Sequence, residues 1–345
     1  MTKILFIDNG IEFDGDSVRK KPVGGAENAF VSLVEELAKL NFEVVVFNNV
    51  RKTNNINGVL WKKLNHDIYH EKFDILVINR GDNFLNFKRE CKKRFFWIHN
   101  PANYLLKWRY LSKLYLNSTT IIFSSNYHLS TYPKWAPNKN KIIIPYGVDN
   151  FIFKNKTFKL PKKKNAIFTS NPLRGLDWLL DRWEYEIYPQ LPGSTLELFS
   201  GSKTYGSFGL KHEKKMMPIL ERAKKLKGKG VNLNEPINRV NLIEKLQSTR
   251  LFLYQGSKDE TFCMSLAEAQ TIGIPSVVMN LGCMNERVRH NKSGYVCETD
   301  IEFSKSAVKI LEDDVCWNNL NSEMMLNTQN KNWSEIAKEW KKILI

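Results

Sequence analysis

Short apolar runs alternate with longer stretches of helical periodicity along almost the whole chain. In the first half, runs at 4–7, 44–47, 75–78, 95–98 and 121–123 read as strands, with helices over 26–40 and around 105–116 between them. Within 26–40 the apolar Phe30, Leu33, Val34, Leu37 and Ala38 line one face while Glu27, Glu35 and Lys39 fall off it, the pattern of a helix packed on a sheet. The second half repeats the scheme, with strands at 166–169, 195–199, 231–233, 251–254 and 276–279 and helices at 176–188, 213–227, 240–247 and 262–271. Strands separated by helices predict parallel sheets with crossover connections, so each half is expected to be a doubly wound α/β domain. In such sheets ligands sit at the carboxyl ends of the strands, and two of them facing each other enclose a cleft.

The strand that starts at Lys141 ends in Pro145-Tyr146-Gly147-Val148-Asp149, and the polar, lysine-rich stretch 154–165 follows. That change of composition predicts a domain boundary near residue 155. A length of 345 residues, 42% of them hydrophobic, suffices for two cores. No apolar run approaches the roughly 20 residues that span a bilayer, and residues 1–8 are too short and end in a charge for a secretory signal, so they are expected to form a first strand. Five cysteines without paired spacing fit a reducing, cytoplasmic setting and argue against a metal or disulfide framework.

The net charge of +16 selects anionic partners in general. Lysine is spread widely, with clusters at 88–94, 162–164 and 211–229, and the richness in Asn and Ile makes part of the excess compositional. No stripe of aromatics interleaved with Arg and Lys marks a nucleic-acid surface, so nucleic acid is not expected as a partner. The 88–94 cluster, with Phe84, Leu85 and Phe87 before it, is the segment suited to peripheral contact with an anionic membrane, and an ordinary solvated face is the competing reading.

The chemistry concentrates in Asp259-Glu260-Thr261-Phe262-Cys263-Met264-Ser265-Leu266-Ala267-Glu268, which follows the strand 251–254 and runs into a helix closed by Gly273-Ile274-Pro275. The helix N-terminus near 261–264 offers free backbone N–H groups and a favourable dipole to a phosphate. Glu260 would stand beside that anion and Glu268 about 10–12 Å further along, at ~1.5 Å per residue. Carboxylates only accept hydrogen bonds and hold vicinal hydroxyls well. The pair would therefore grip a hexose and a ribose on either side of a diphosphate, which describes a nucleotide sugar.

Taken with Gly24-Gly25-Ala26-Glu27 after the first strand, Trp97-Ile98-His99-Asn100, Ile144 to Asp149, Arg174-Gly175-Leu176-Asp177 and Trp333-Ser334-Glu335 near the end, this motif resembles the retaining GT-B glycosyltransferases of the large family 4 group. The resemblance runs nearly end to end and implies an α/β GT-B architecture: two Rossmann-like domains facing each other across a cleft. It implies an acceptor-side domain 1–155 and a nucleotide-sugar-binding domain 156–332. The stripe Ile336, Ala337, Trp340 and Ile343 in 333–345 would form a final helix packed back on the first domain.

By the same resemblance Glu260 contacts the donor sugar, Glu268 the ribose, and the backbone amides of Phe262, Cys263, Met264 and Ser265 lie near the phosphates. Thr261 and Cys263 stand where the family usually carries glycines, which alters the backbone approach to the donor. Gly24 and Gly25 open the first helix and let a phosphate or sugar come close. His99 ends a strand at the reaction centre and would hydrogen-bond donor or acceptor. Arg174 would clamp the diphosphate at the family's usual lysine position, and Lys203 is the candidate for the second cation, because the usual arginine position is polar. Asp14-Gly15-Asp16 does not follow a buried strand and reads as a polar turn, so no catalytic metal and no cofactor is expected.

The expected activity is hexosyltransferase-type transfer, with retention, from a UDP or GDP sugar to a hydroxyl of a glycan, glycolipid or lipid-linked saccharide. Two other readings stay open: a GT-B module that binds nucleotide sugars without turnover, and a glycosyltransferase acting on nucleic acid.

Overall fold

The computed structural model describes residues 1–20, 23–87, 90–137, 140–157, 159–201, 206–237, 239–327 and 329–345. The chain divides into two compact units, Met1–Gly147 with Lys331–Ile345, and Val148–Asn330.

The first unit contains β1 (Lys3–Asp8), α1 (Ser17–Lys20), α2 (Gly25–Lys39), β2 (Glu43–Asn48), β3 (Asn54–Ile56), β4 (Val59–Lys63), β5 (Ile75–Asn79), β6 (Lys93–Trp97), α3 (Trp108–Leu116), β7 (Thr120–Phe123), α4 (Asn126–Ser130) and β8 (Lys141–Ile143). Its strands form one sheet in the order β3-β4-β2-β1-β5-β6-β7-β8, parallel except for the β3–β4 hairpin. β1, β2 and β5 are buried along nearly their whole length, which is why they appear in the sequence as unbroken apolar runs. In α2, Phe30, Leu33, Val34 and Leu37 are buried as expected, but so are Glu27 and Glu35. Each carboxylate is compensated, Glu27 by Arg80 at 2.8 Å and Glu35 by Arg19 at 2.6 Å. The helix expected around 105–116 is a 3-10 turn over Ala102–Leu106 followed by α3.

The second unit contains α5 (Asn150–Lys154), β9 (Asn165–Phe168), α6 (Leu176–Arg182), β10 (Thr195–Phe199), α7 (Gly206–Lys225), β11 (Val231–Asn234), α8 (Arg239–Gln247), β12 (Leu251–Tyr254), α9 (Met264–Ile272), β13 (Ser276–Met279), α10 (Met284–Arg287), β14 (Gly294–Cys297), α11 (Asp300–Glu312) and α12 (Asp314–Leu326). Its sheet is parallel throughout, in the order β11-β10-β9-β12-β13-β14, the doubly wound arrangement in which the strand order reverses between β9 and β12. The helix expected over 176–188 leaves the α conformation at Trp183, where one π turn, Trp183–Ile187, takes over.

The last helix, α13 (Trp333–Leu344), belongs to the first unit and packs on α2. An Asn332–Glu335 capping box starts it, and Ile336, Ala337, Trp340 and Leu344, rather than Ile343, form its buried stripe. Trp340 lies against Trp97 with ring centroids 5.3 Å apart. The boundary falls at Gly147 and not near 155, for a local reason. A Cβ on Gly147 would come within 2.7 Å of the Trp333 backbone, so this residue is fitted against the start of α13, whereas two residues on Asp149 already caps α5 through the Phe151 amide at 2.9 Å. Asp14 and Asp16 lie in a turn, Asp14 accepting from the Ser17 amide at 2.9 Å and Asp16 pairing with Lys20 at 2.6 Å.

Candidate functional site

In the second unit the site is built at the end of β12 and the start of α9. Glu260 is buried there, and three groups converge on its carboxylate. Arg174 forms an ion pair with Oε2, the Tyr254 hydroxyl donates to the same oxygen at 2.8 Å, and the Cys263 amide donates to Oε1 at 3.2 Å. Arg174 arrives from the β9–α6 loop, where Gly175 takes a left-handed conformation, φ 82°, and caps α6. Burial works against the Arg174 charge, but the Glu260 carboxylate outweighs it and keeps the guanidinium firmly protonated. Burial and the same carboxylate push the Tyr254 hydroxyl well above its ordinary range and the Cys263 thiol to about 12, so both stay neutral.

Cys263 is the N-cap of α9 and has φ 63°, a left-handed conformation that costs a side-chain-bearing residue on the order of 1–2 kcal/mol. A backbone shape that favours glycine is therefore maintained here by a cysteine. Met264, Ser265 and Glu268 share the half-buried side of α9, while Leu266, Ala267, Ala269 and Gln270 are packed inside. Of the amides expected near phosphates, that of Cys263 is engaged by Glu260 itself; Met264 and Ser265 carry the first amides of the helix. Lys203 lies outside the described residues.

One cation near this loop has no sequence signal. Arg287, at the end of α10, lies over the Phe262 ring, 4.2 Å from its centroid, and donates to Asn330. Among the described residues no carboxylate lies within 4.0 Å of it, and its Nε has no hydrogen-bond partner. Burial lowers its pKa from the ordinary arginine value, so its charge is maintained at a cost.

In the first unit a second polar cluster lies at the ends of β1, β5 and β6. Asp8 accepts from Asn79 and from Arg80 at 3.0 Å, and Arg80 also reaches Glu27 at 2.8 Å. His99 bridges Asn79 Oδ1 at 2.6 Å and the Tyr146 hydroxyl at 2.5 Å. Because the Asn79 amide nitrogen points at Asp8, its oxygen faces the ring, so His99 carries its proton on Nε2 and accepts from Tyr146 at Nδ1. Burial, then the Arg80 charge and His128, hold the His99 pKa well below the usual value, so the ring is neutral. Gly24 precedes α2, and the Glu27 carboxylate lies 2.5 Å from where a Cβ on Gly24 would be. Gly25, the exposed first residue of α2, is thus beside an internal anion.

Site residues separate into two groups: Arg174, Glu260, Phe262, Cys263, Met264, Ser265 and Glu268 in the second unit, and Gly24, Gly25 and His99 in the first. Tyr254, Arg287, Asp8, Asn79 and Tyr146 join them without having been singled out. In the sequence Tyr254 is only the end of a strand and Tyr146 only one residue within the 144–149 segment.

The fold is that of the GT-B glycosyltransferases. Residues 208–340 match the family model described as glycosyl transferases group 1. Sucrose-phosphate synthase from Thermosynechococcus elongatus superposes with a TM-score of 0.76 at 15% identity, over 99% of this chain and 98% of its own. Anabaena HepE in complex with UDP-glucose gives 0.74 at 15% identity, over 100% and 99%. WaaG, a glycosyltransferase involved in lipopolysaccharide biosynthesis, gives 0.70 at 13% identity, over 99% of each chain. No curated protein sequence matches the chain.

Proposed function

We propose that the protein is a glycosyltransferase that moves a sugar from a nucleoside diphosphate donor to a hydroxyl acceptor, with retention of configuration. The observation that carries this reading is Glu260, a carboxylate fixed from three sides at the mouth of α9. A carboxylate so fixed is pre-organised to accept hydrogen bonds from sugar hydroxyls. Arg174 uses one terminal nitrogen on Glu260, and its other donors can meet the departing diphosphate. The α9 N-terminus and Arg287 add positive potential to the same loop, so charge that develops on the leaving group meets fixed donors. No side chain is assigned as a covalent nucleophile; the leaving phosphate takes the acceptor proton in a front-face substitution. The solved HepE complex with UDP-glucose supports a UDP sugar as donor.

The test is a thermal-shift screen with UDP, GDP and ADP sugars. One donor class is expected to raise Tm by several degrees, as ligand binding to the folded state requires, and Glu260→Ala should abolish the shift. The Arg174–Glu260 pair also fits a second reading, a nucleotide-sugar-binding module without turnover, and a Tm shift without donor hydrolysis or transfer would establish that one.

No described helix is long and apolar enough to cross a membrane. Contact with an anionic membrane does not fit the 84–94 segment, since Leu85 and Phe87 are buried, Arg94 donates to their carbonyls, and residues 88–89 lie outside the described residues. It fits α3, where Trp108 and Tyr115 are 80% and 79% exposed beside Lys107 and Arg109. The protein is expected to float with phosphatidylglycerol vesicles and not with phosphatidylcholine. The W108S/Y115S variant should remain in the soluble fraction, and equal behaviour of variant and parent would refute the assignment.

A further inference from the structure

A parallel sheet is ordinarily covered on both faces, yet among the described residues one face of β10 and β11 is left only partly covered. Leu196 and Leu198 of β10 are fully buried, while Thr195, Glu197 and Phe199 between them are only half-buried. On β11, Asn232 pairs in register with Glu197, and Asn234 with Phe199, and both are half-buried too. The alternation is written in the sequence as Thr-Leu-Glu-Leu-Phe and Val-Asn-Leu-Asn, the pattern of strands with one polar side.

Over this face lies a cavity of about 600 Å³, closed at its sides by the segment 159–163 and by the end of α8. That volume falls within the range of small-molecule pockets, roughly 300–1,000 Å³. Its floor is organised: Glu197 accepts from Asn232 Nδ2 at 2.7 Å and from Asn234 Nδ2 at 3.0 Å. Both asparagine amides are thereby oriented, and their Oδ1 atoms and the Thr195 hydroxyl make no bond to a described side chain or backbone group. The floor thus presents mainly acceptors. The rim is cationic. Lys159, Lys162, Lys163 and Lys245 line it, all exposed, and among the described residues none has a carboxylate within 4.0 Å. Four cations face one carboxylate that is already hydrogen-bonded.

An acceptor-rich floor suits hydroxyl groups, and an uncompensated cationic rim suits an anion. The geometry points to a second ligand site in the second unit, for a polyhydroxylated anion such as a phosphorylated monosaccharide. The lining includes none of Arg174, Glu260, Glu268 or Arg287, so this site is separate from the donor site and does not depend on the function proposed above.

Calorimetric titration of the full chain with glucose 6-phosphate tests it, with glucose and inorganic phosphate as the partial probes. Saturable 1:1 binding of glucose 6-phosphate is expected, at least tenfold tighter than either partial probe. K162E/K163E reverses two exposed rim charges without touching the core, and should weaken binding tenfold or more; Thr195→Val should weaken it several-fold. The response of Tm to nucleotide sugars should be the same in these variants as in the parent, which separates failure here from failure of the donor site. Absence of saturable heat, equal affinity for inorganic phosphate, or unchanged affinity in K162E/K163E would each overturn the proposal.

Discussion

Glu260→Ala is expected to reduce kcat/KM for sugar transfer by about 10³-fold, the scale on which removal of one pre-organised transition-state contact acts, equivalent to about 4 kcal/mol. Two effects combine. On the function proposed above the sugar loses a fixed acceptor, and Arg174 and the Tyr254 hydroxyl lose the group that orients them. Removing one member of a fully buried ion pair destabilises a fold by about 3–5 kcal/mol. The Arg174 side chain is 38% exposed, so solvent screens part of its charge, and a loss of about 2 kcal/mol is the better expectation. Glu260→Gln separates the effects, because an amide oxygen can still accept from Tyr254. It should keep most of the stability and still lose most of the rate. Steady-state kinetics and denaturant unfolding on both variants make the test, and transfer by Glu260→Ala within threefold of the parent would remove Glu260 from the site.

The second large effect is a loss of stability in acid, centred on His128. This ring is completely buried, accepts from the Ser124 amide at Nδ1 at 3.1 Å and donates from Nε2 to the Asn100 carbonyl at 2.8 Å. Burial lowers its pKa to about 4, against the opposing effect of the Asn100 bond. The sign follows from linkage: the unfolded chain takes up the proton near pH 6.5, well before the folded one does. Stability is therefore complete above about pH 6.5 and declines as the pH falls toward 4. At about 1.36 kcal/mol per pH unit the loss approaches 3 kcal/mol, and His99, lowered in the same direction, adds to it. Urea unfolding at pH 7 and at pH 4 should show this difference, and His128→Gln should flatten it. An equally steep decline in the variant would assign the acid sensitivity elsewhere.

What could be read from the sequence follows from how each feature is encoded. Strands buried on both faces leave unbroken apolar runs, so β1, β2, β5, β12 and β13 were located to within a residue or two at each end. The β3–β4 hairpin was missed despite its Asn57-Gly58 turn, both residues left-handed, because β3 is a short polar strand with little periodicity. α11 and α12 lie between the strand 276–279 and the Trp333 segment, where no motif draws attention, and carry no assignment from the sequence, although Phe303, Ala307, Ile310 and Leu311 are spaced as one helix face. The Glu260–Glu268 motif is local and announced itself. The partners of Glu260 are not local: Arg174 lies 86 residues away, and which of its bonds goes to a carboxylate is decided by folding. In the Asp8–Asn79–His99–Tyr146 chain only His99 carries a signal of its own; Asp8 and Asn79 are brought together by the β1–β5 register, and they and Tyr146 by themselves read as ordinary polar residues.

The course of the backbone has a consequence for how the molecule comes into being. The second unit is a single uninterrupted stretch inserted into the first, whose sheet is finished by residue 143 while α13 belongs to the far end of the chain. During vectorial synthesis the inserted unit can complete itself while its elder neighbour still lacks the tryptophan that covers Trp97. The portion made first is the one completed last, and a stop codon placed before Lys331 would harm the unit already synthesised rather than the one just finished.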